Sequence, residues 1–593
     1  MKAKKVLFVI FTALVFALMF VVLELNKNTL LGFILAAALC AGFCVLHRLI
    51  VKKRDKWFLR LASWVGWIAL FSGVLMLTYP PVQSVPAAEK SGGATEVVTV
   101  AQGKLRGVYN EDKSVEVFAG IPFAKPPVGE LRWREPQDPE PWEGVLNADT
   151  FAPMSMQPQD SPVIDSRTHI IGYHDYELTL ADNCTRPASE DSLYLNIWKP
   201  SGKAEGLPVL VYFHGGSLKT GQPWFADYNG EPLAEKGVVV VNAGYRLGIF
   251  GFFASEELAA ESENGTTGNY GLLDQIKALE WVRDNIKAFG GDPSNVTVAG
   301  ESAGAACVSA LCTSPLAKGL FERAVLESST MASVTPPHSF RLLSEAEDAG
   351  KETLERFGCR TVEELRSVPA QELVGEAENH HHITIDGYAL TETPYISYMK
   401  GIHNEKAILH GYNSEESGPF IVFDRADLKN YEEKVRTYFG SYADAILKLY
   451  PAETDEEADR NWAKVFGAVY FDYPPYCLNR FAVQNKIPVY EYVFSKDNGR
   501  LGAWHSGEIV YFYGNIPDGS ALYAERDREL SAQMLGYLSS YAHNGDPNSE
   551  GLPEWKQNTG SDSVMSFGDS TEMIPEREHE LFAILDLMET WGR

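Results

Sequence analysis

The chain has 593 residues, with 79 Asp and Glu against 52 Lys and Arg, so its formal net charge is −27. That surplus of acid argues against nucleic-acid binding, which needs clustered Lys and Arg to neutralise phosphates. Hydrophobic residues at 45% and charged residues at 22% exclude a disordered chain, and seven cysteines, odd in number and sparse, exclude a disulfide scaffold.

The charge is unevenly spread. Residues 1–80 hold ten Lys and Arg against Glu24 and Asp55, a net of +8 that leaves −35 on residues 81–593. This basic end carries three apolar runs, Val6–Leu23, Leu30–Leu46 and Leu61–Tyr79, each near the roughly 20 residues that cross a bilayer core. The pattern predicts a three-span transmembrane anchor over residues 1–80, in contact with the lipid bilayer through residues 6–79. Lys2, Lys4 and Lys5 precede the first run and Arg48, Lys52, Lys53, Arg54 and Lys56 fill the second connection, whereas Glu24–Thr29 is nearly neutral. Basic connections stay in the cytoplasm, so everything after Tyr79 is expected outside the cell membrane. The first run alone also reads as a signal peptide, but it is long for one and two more runs follow. Residues 81–95, rich in Pro, Ala, Ser and Gly, read as a linker in which a cut near Pro86–Ala88 would release the remainder.

From about Thr95 onward, strand-like and helix-like stretches alternate without repeats. Val97–Trp142, dense in turn residues, predicts antiparallel lead-in strands. GLPVLVYFHGG, ending at Gly216, reads as a buried strand running into a glycine turn, and GVVVVNAGYRLGIFGFF, beginning at Gly237, as another. Leu272, Ile276, Leu279, Val282 and Ile286 recur at spacings of three and four, which marks an amphipathic helix. NVTVAG, ending at Gly300, is a β-branched strand. Strands that alternate with helices imply βαβ units, hence an α/β fold with a central, mostly parallel sheet flanked by helices.

Two motifs carry chemistry. Gly300-Glu301-Ser302-Ala303-Gly304 lies between the strand Asn295–Ala299 and a helix-competent run of small residues, the strand–turn–helix setting of a nucleophile elbow. Such a turn strains the serine backbone, and the flanking glycines let strand and helix approach without a Cβ clash. A serine hydroxyl needs a base to remove its proton, and the oxyanion it generates needs donors. His214-Gly215-Gly216 closes the strand VLVYF, where bare backbone can direct N–H groups at a developing negative charge; the Ala303 N–H would be the third donor.

With these motifs in place the chain resembles the type-B carboxylesterase/cholinesterase family of α/β-hydrolases, in the manner of its bacterial para-nitrobenzyl-esterase-like members. The matching pieces include FAGIPFAKPPVGELRWREPQ near Phe118, SEDSLYLNIWKP around Glu190, VYFHGGS at Val211, the stretch ending GESAGA at Ala305, ILHGYNSEESGPF at Ile408 and AWHSGEIVYFYGN at Ala503. The resemblance implies an α/β-hydrolase domain over residues 96–593. It also implies the partners of Ser302: an acid in the pattern Gly411-Tyr412-Asn413-Ser414-Glu415-Glu416, giving Glu416 with Glu415 as its rival, and His505 as base from His505-Ser506-Gly507-Glu508-Ile509. Ser417 stands where the family usually has glycine. The implied activity is hydrolysis of small-molecule carboxylic esters through an acyl-enzyme, with Gly215, Gly216 and Ala303 as oxyanion hole and with neither metal nor organic cofactor. Two other readings use the same frame: a catalytically silent adhesion or binding module, which typically lacks the nucleophile, and an acyltransferase working through the same three residues.

Several further features read as structural. His380-His381-His382 are adjacent and cannot all face one ion, Cys40 and Cys44 fall in the second apolar run, and Cys307 and Cys312 lie on the helix after the elbow. The family's usual early disulfide is absent: Ser192 occupies one cysteine position and Met156 the expected place of its partner, with Cys184 a shifted candidate. Without that loop the frame for a choline-binding tryptophan is gone, although Trp142 and Trp224 remain able to stack on a cation. Asn183, Asn264 and Asn295 open glycosylation patterns, the last expected to be buried at a strand start. Ser217–Tyr228 and His338–Glu347 are the loops expected to line the acyl and alcohol pockets.

Overall fold

Apolar helices and alternating strands segregate into two units in the computed structural model, residues up to 84 with 186–187 in one and 85–158 with 188–591 in the other. The structure describes residues 2–591 apart from 27, 52, 54–55, 89, 159–185, 331–332, 334–339, 422–423, 498–501, 518–522, 561–562 and 576–577. Cys184, the Asn183 pattern and His338 lie outside the described residues.

The first unit is built of three helices, α1 (Lys2–Leu25), α2 (Leu30–Leu46) and α3 (Trp57–Leu77). All three are long and apolar enough to cross a membrane. The third begins four residues before the expected Leu61, because Trp57, Phe58 and Leu59 extend its apolar run. Phe16, Phe43, Trp64, Trp67 and Phe71 pack as one aromatic cluster. At the α1–α2 turn the Asn28 carboxamide donates to Leu75 O at 2.9 Å and to Thr78 Oγ1 at 2.8 Å. A polar side chain in such surroundings must find partners on a neighbouring helix, and that need fixes the end of α3 against the turn.

The second unit is organised around a twelve-stranded sheet. In chain order its strands are β1 (Gly93–Ala94), β2 (Val108–Tyr109), β3 (Val115–Pro122), β4 (Tyr194–Pro200), β5 (Leu207–Phe213), β6 (Val239–Ala243), β7 (Gly291–Glu301), β8 (Arg323–Glu327), β9 (Ala407–Asn413), β10 (Val489–Phe494), β11 (Ser563–Phe567) and β12 (Thr571–Pro575). They stand side by side as β1-β2-β3-β4-β6-β5-β7-β8-β9-β10-β11-β12. The pairings from β6 through to β11 are parallel, whereas β1 to β4 and the terminal β12 pair antiparallel. The sheet is therefore mixed: its centre is parallel and the strands within Val97–Trp142 pair antiparallel, as expected, while the antiparallel terminal β12 was not anticipated.

The segment expected as a linker is in part strand. Val85–Pro86 pairs with Thr150–Phe151, and Gly93–Ala94 joins the large sheet. Ala87 is buried and donates its N–H to Asp149 O at 2.9 Å, so cleavage near Pro86–Ala88 has to open this pairing first.

Alternation along the central strands explains why both faces are covered. Val209, Val211 and Phe213 of β5 enter one apolar cluster with helices α4 (Tyr270–Asn285) and α5 (Ala303–Thr313), while Leu210 and Tyr212 enter another with α6 (Glu525–Asn544). A parallel sheet buried on both sides is what runs such as VLVYF and VVVV encode. The spacing read for α4 holds, since Leu272, Leu279 and Val282 are fully buried. Cys307 and Cys312 lie buried on α5 as expected.

Candidate active site

The parallel centre of the sheet delivers its strand ends to one region, and Ser302 stands there. β7 ends at Glu301 and α5 begins at Ala303, so Ser302 alone makes the turn, at φ 53° and ψ −123°. That conformation is costly for any residue with a Cβ and persists only when its surroundings enforce it. They do so through glycine. A Cβ on Gly304 would lie 2.0 Å from the Phe213 carbonyl oxygen, and one on Gly300 would lie 2.5 Å from the Gly304 carbonyl carbon. The Ser302 N–H donates to Glu327 O at 2.9 Å, which ties the turn to the end of β8.

Across from the turn, His505 Nε2 stands 2.9 Å from Ser302 Oγ, and its Nδ1 stands 2.5 Å from Glu416 Oε2. Glu416 is 1% exposed and His505 4%. The second oxygen of Glu416 accepts the Asn413 N–H at 2.7 Å. Burial pushes the Glu416 carboxyl above its ordinary range, and the Asn413 N–H pulls the other way. Glu415 points elsewhere: it is exposed, and its backbone pairs with the Ala503–Trp504 stretch.

Behind the row Ser302–His505–Glu416 lies a group of buried carboxyls. Glu301 Oε1 accepts the Ser506 hydroxyl at 2.5 Å and lies 3.4 Å from His505 Nε2. Burial pushes the Glu301 carboxyl up to about 8, with His505 opposing. Glu508 accepts from Ser328 Oγ at 2.6 Å and from Asn413 Nδ2 at 2.5 Å, and burial with Glu416 nearby raises it to about 7. Glu327, which accepts the Tyr513 hydroxyl at 3.3 Å, is raised by the same burial. Carboxyls packed so closely cannot all ionise, so burial favours the protonated forms in this region.

The turn after β5 runs against the serine. A Cβ on Gly215 would lie 3.1 Å from Ser302 Cβ and 2.7 Å from Glu301 Oε2, so bare backbone is required there. Gly216, Ser217 and Leu218 all take positive φ, at 103°, 55° and 57°. The turn is pinned from outside: Tyr245 OH donates to His214 O at 2.6 Å, Gly248 N–H to Leu218 O at 2.7 Å, and the Gln157 carboxamide both donates to Gly221 O at 2.7 Å and accepts from Gly221 N–H at 2.9 Å. Burial lowers His214 to about 4, so its ring is neutral and stacks on Tyr245. Ala303 opens α5, where backbone N–H groups lack helical acceptors and the helix dipole is positive. Phe420 and Phe471 face the His505 ring at 5.0 and 4.9 Å. Phe471 sits on a π-helical stretch, Ala468–Asp472, a device frequent at functional sites.

The sequence model of the Carboxylesterase family matches residues 94–581. The chain belongs to the carboxylesterase family. Fumonisin B1 esterase of Sphingopyxis macrogoltabida is 33% identical over 537 residues, covering 86% of this chain and 93% of its own length. Carboxylesterase 1C of Mus musculus is 32% identical over 524 residues, with 82% and 91% covered. Para-nitrobenzyl esterase of Bacillus subtilis (strain 168) is 30% identical over 509 residues, with 82% and 97% covered. The protein is accordingly a carboxylic ester hydrolase of α/β-hydrolase fold, acting on small-molecule esters as a serine hydrolase.

Other expectations for this carboxylesterase fare differently. Ser192 meets Ser155, not Met156: the two hydroxyls hydrogen-bond at 3.0 Å, while Met156 turns into an apolar cluster with Trp133 and Phe250. Trp142 and Trp224 commit their indole N–H groups to Lys104 O and Ala152 O. His380 is buried with Nε2 2.8 Å from Thr353 Oγ1, and the His381 and His382 rings meet at 4.2 Å, tilted by 42°. Asn295 is half-buried and not fully so, holding Arg323 and the His543 carbonyl. Glu301 and Glu508 went unassigned in the sequence although both lie inside quoted motifs; their signal was an acid next to the serine and an acid three residues after the histidine. Phe420 closes the quoted stretch ILHGYNSEESGPF and was not assigned, and Phe471 carried no signal, because aromatic residues are common throughout the chain.

Proposed function

We propose that the protein is a membrane-tethered serine carboxylesterase whose catalytic unit, from residue 96 onward, faces outside the cytoplasm, held by the three-span segment 1–80. The observation that carries the catalytic reading is the strained Ser302, with its Oγ 2.9 Å from His505 Nε2 and the opposite ring nitrogen on buried Glu416. In this reading His505 takes the Ser302 proton as the oxygen attacks the ester carbonyl, and then returns it to the leaving alcohol. Water, deprotonated by the same imidazole, next attacks the acyl-enzyme and releases the acid. Glu416 holds the ring with Nδ1–H toward itself and stabilises the imidazolium. The N–H groups of Gly215, Gly216 and Ala303 take the oxyanion. The tether rests on three apolar helices and the +8 charge of residues 1–80, whose basic connections stay in the cytoplasm.

Full-length protein in detergent, offered short-chain p-nitrophenyl esters and a fluorophosphonate probe, is expected to turn over the esters and to be labelled at Ser302. Ser302→Ala should lose both; a wild-type protein with neither activity nor label would sink this reading.

A further inference from the structure

We propose that Asn413 is the positioning residue that sets the stagger between the turn carrying Glu416 and the loop carrying His505. The proposal rests on the three-residue reading above and deepens it. Asn413 closes β9 and is 1% exposed. Its main-chain N–H donates to Glu416 Oε1 at 2.7 Å, while its side-chain NH₂ donates to Trp504 O at 2.7 Å and to Glu508 Oε2 at 2.5 Å. Trp504 immediately precedes His505. One residue therefore holds the acid, the base-bearing loop and the carboxyl behind them.

The choice of residue type follows from its surroundings. The Asn413 Oδ1 is buried with no hydrogen-bond partner among the described residues, so the site uses this side chain purely as a double donor toward a carbonyl and a carboxylate. Aspartate at this position would set acceptor against acceptor, and alanine would take the donor from Glu508 Oε2 and leave Trp504 O with the Gly507 N–H at 2.9 Å alone. The two segments already run side by side, since the Glu415 N–H donates to Ala503 O at 3.1 Å. What the carboxamide adds is their register, and the 2.5 and 2.9 Å spacings around His505 depend on that register. A misplacement near 1 Å at such a site costs about 100-fold in rate.

The test compares Asn413→Asp and Asn413→Ala with wild type in the full-length protein, with melting curves to establish folding. Both variants are expected to lower kcat by about 10- to 100-fold with KM within about 2-fold. The pH profile separates a donor from mere filling. As pH falls, the introduced carboxylate gains a proton and recovers one O–H donor, so the ratio of variant to wild-type kcat should climb for Asn413→Asp and stay flat for Asn413→Ala. If Asn413→Asp does not fold, Asn413→Ala and Asn413→Gln decide through the split of kcat from KM. A folded variant with kcat within about 3-fold of wild type overturns the proposal, as does a proportional change in KM with kcat unaltered. Absence of turnover in the wild type would instead count against Ser302 and its partners.

Discussion

Glu415 and Glu416 share one chemistry and adjacent positions, yet backbone direction separates them: one reaches solvent and the other His505 Nδ1. Glu416→Gln is expected to lower kcat by about 10⁴-fold, as when a triad acid becomes an amide and stabilises the wrong tautomer, while Glu415→Gln should stay within about 3-fold. Steady-state kinetics on both variants checks the choice, and an equal loss in the two would refute it. Glu301 makes a second case. Its carboxyl is held at about 8 against an ordinary 4.5, so the folded protein keeps a proton that the unfolded chain releases. Stability from this group is complete below about pH 4.5 and is lost as pH rises toward 8. The melting temperature should therefore fall across that window, and Glu301→Gln should fall less steeply; parallel curves would discard the assignment. Ser302 and His505 were legible because each sits in a long motif. The acid cluster was not, because a carboxylate's role is set by which neighbours share its burial, and linear order does not record that.

At the scale of elements the elbow is the most sequence-determined part of the site. A β-branched strand, glycine, serine, glycine and a run of small residues can turn so tightly only one way. Gly304→Ala places a methyl 2.0 Å from the Phe213 carbonyl, so β5 or α5 must shift. A loss of about 2 kcal/mol or more is expected, with esterase activity falling alongside, as measured by denaturant unfolding and turnover. A variant with unchanged stability would mean that the strand–helix contact is looser than this geometry requires. The central strands and α4 were equally readable, from continuous apolar runs and a spacing of three and four. The stretch Ala468–Asp472 was not: widening a helix to π geometry changes hydrogen bonding without changing residue type, so nothing in the chain announces that Phe471 will reach His505. The short strands before Thr95 escaped notice for a related reason, since two-residue pairings such as Val85–Pro86 with Thr150–Phe151 depend on a partner some 65 residues away.

For the whole molecule, the division of charge and apolarity was the plainest message of the sequence. Protease added to intact cells is expected to trim the large unit while the basic connection after α2 stays protected until the membrane is permeabilised; protection of the large unit would reverse the orientation. The apolar helices were legible because a bilayer demands length and apolarity together. The start of α3 was less so, because tryptophan and phenylalanine sit comfortably on either side of the membrane interface. The hydroxyl pair Ser155–Ser192 carries a last consequence. Among the described residues Cys40, Cys44, Cys307, Cys312 and Cys359 form no disulfide, and at the position where the family resemblance implied a cysteine, Ser192 makes a hydrogen bond to Ser155 that forms without any oxidant. Among the described residues, closure of this segment of the hydrolase thus makes no demand on the redox state of the compartment where it folds.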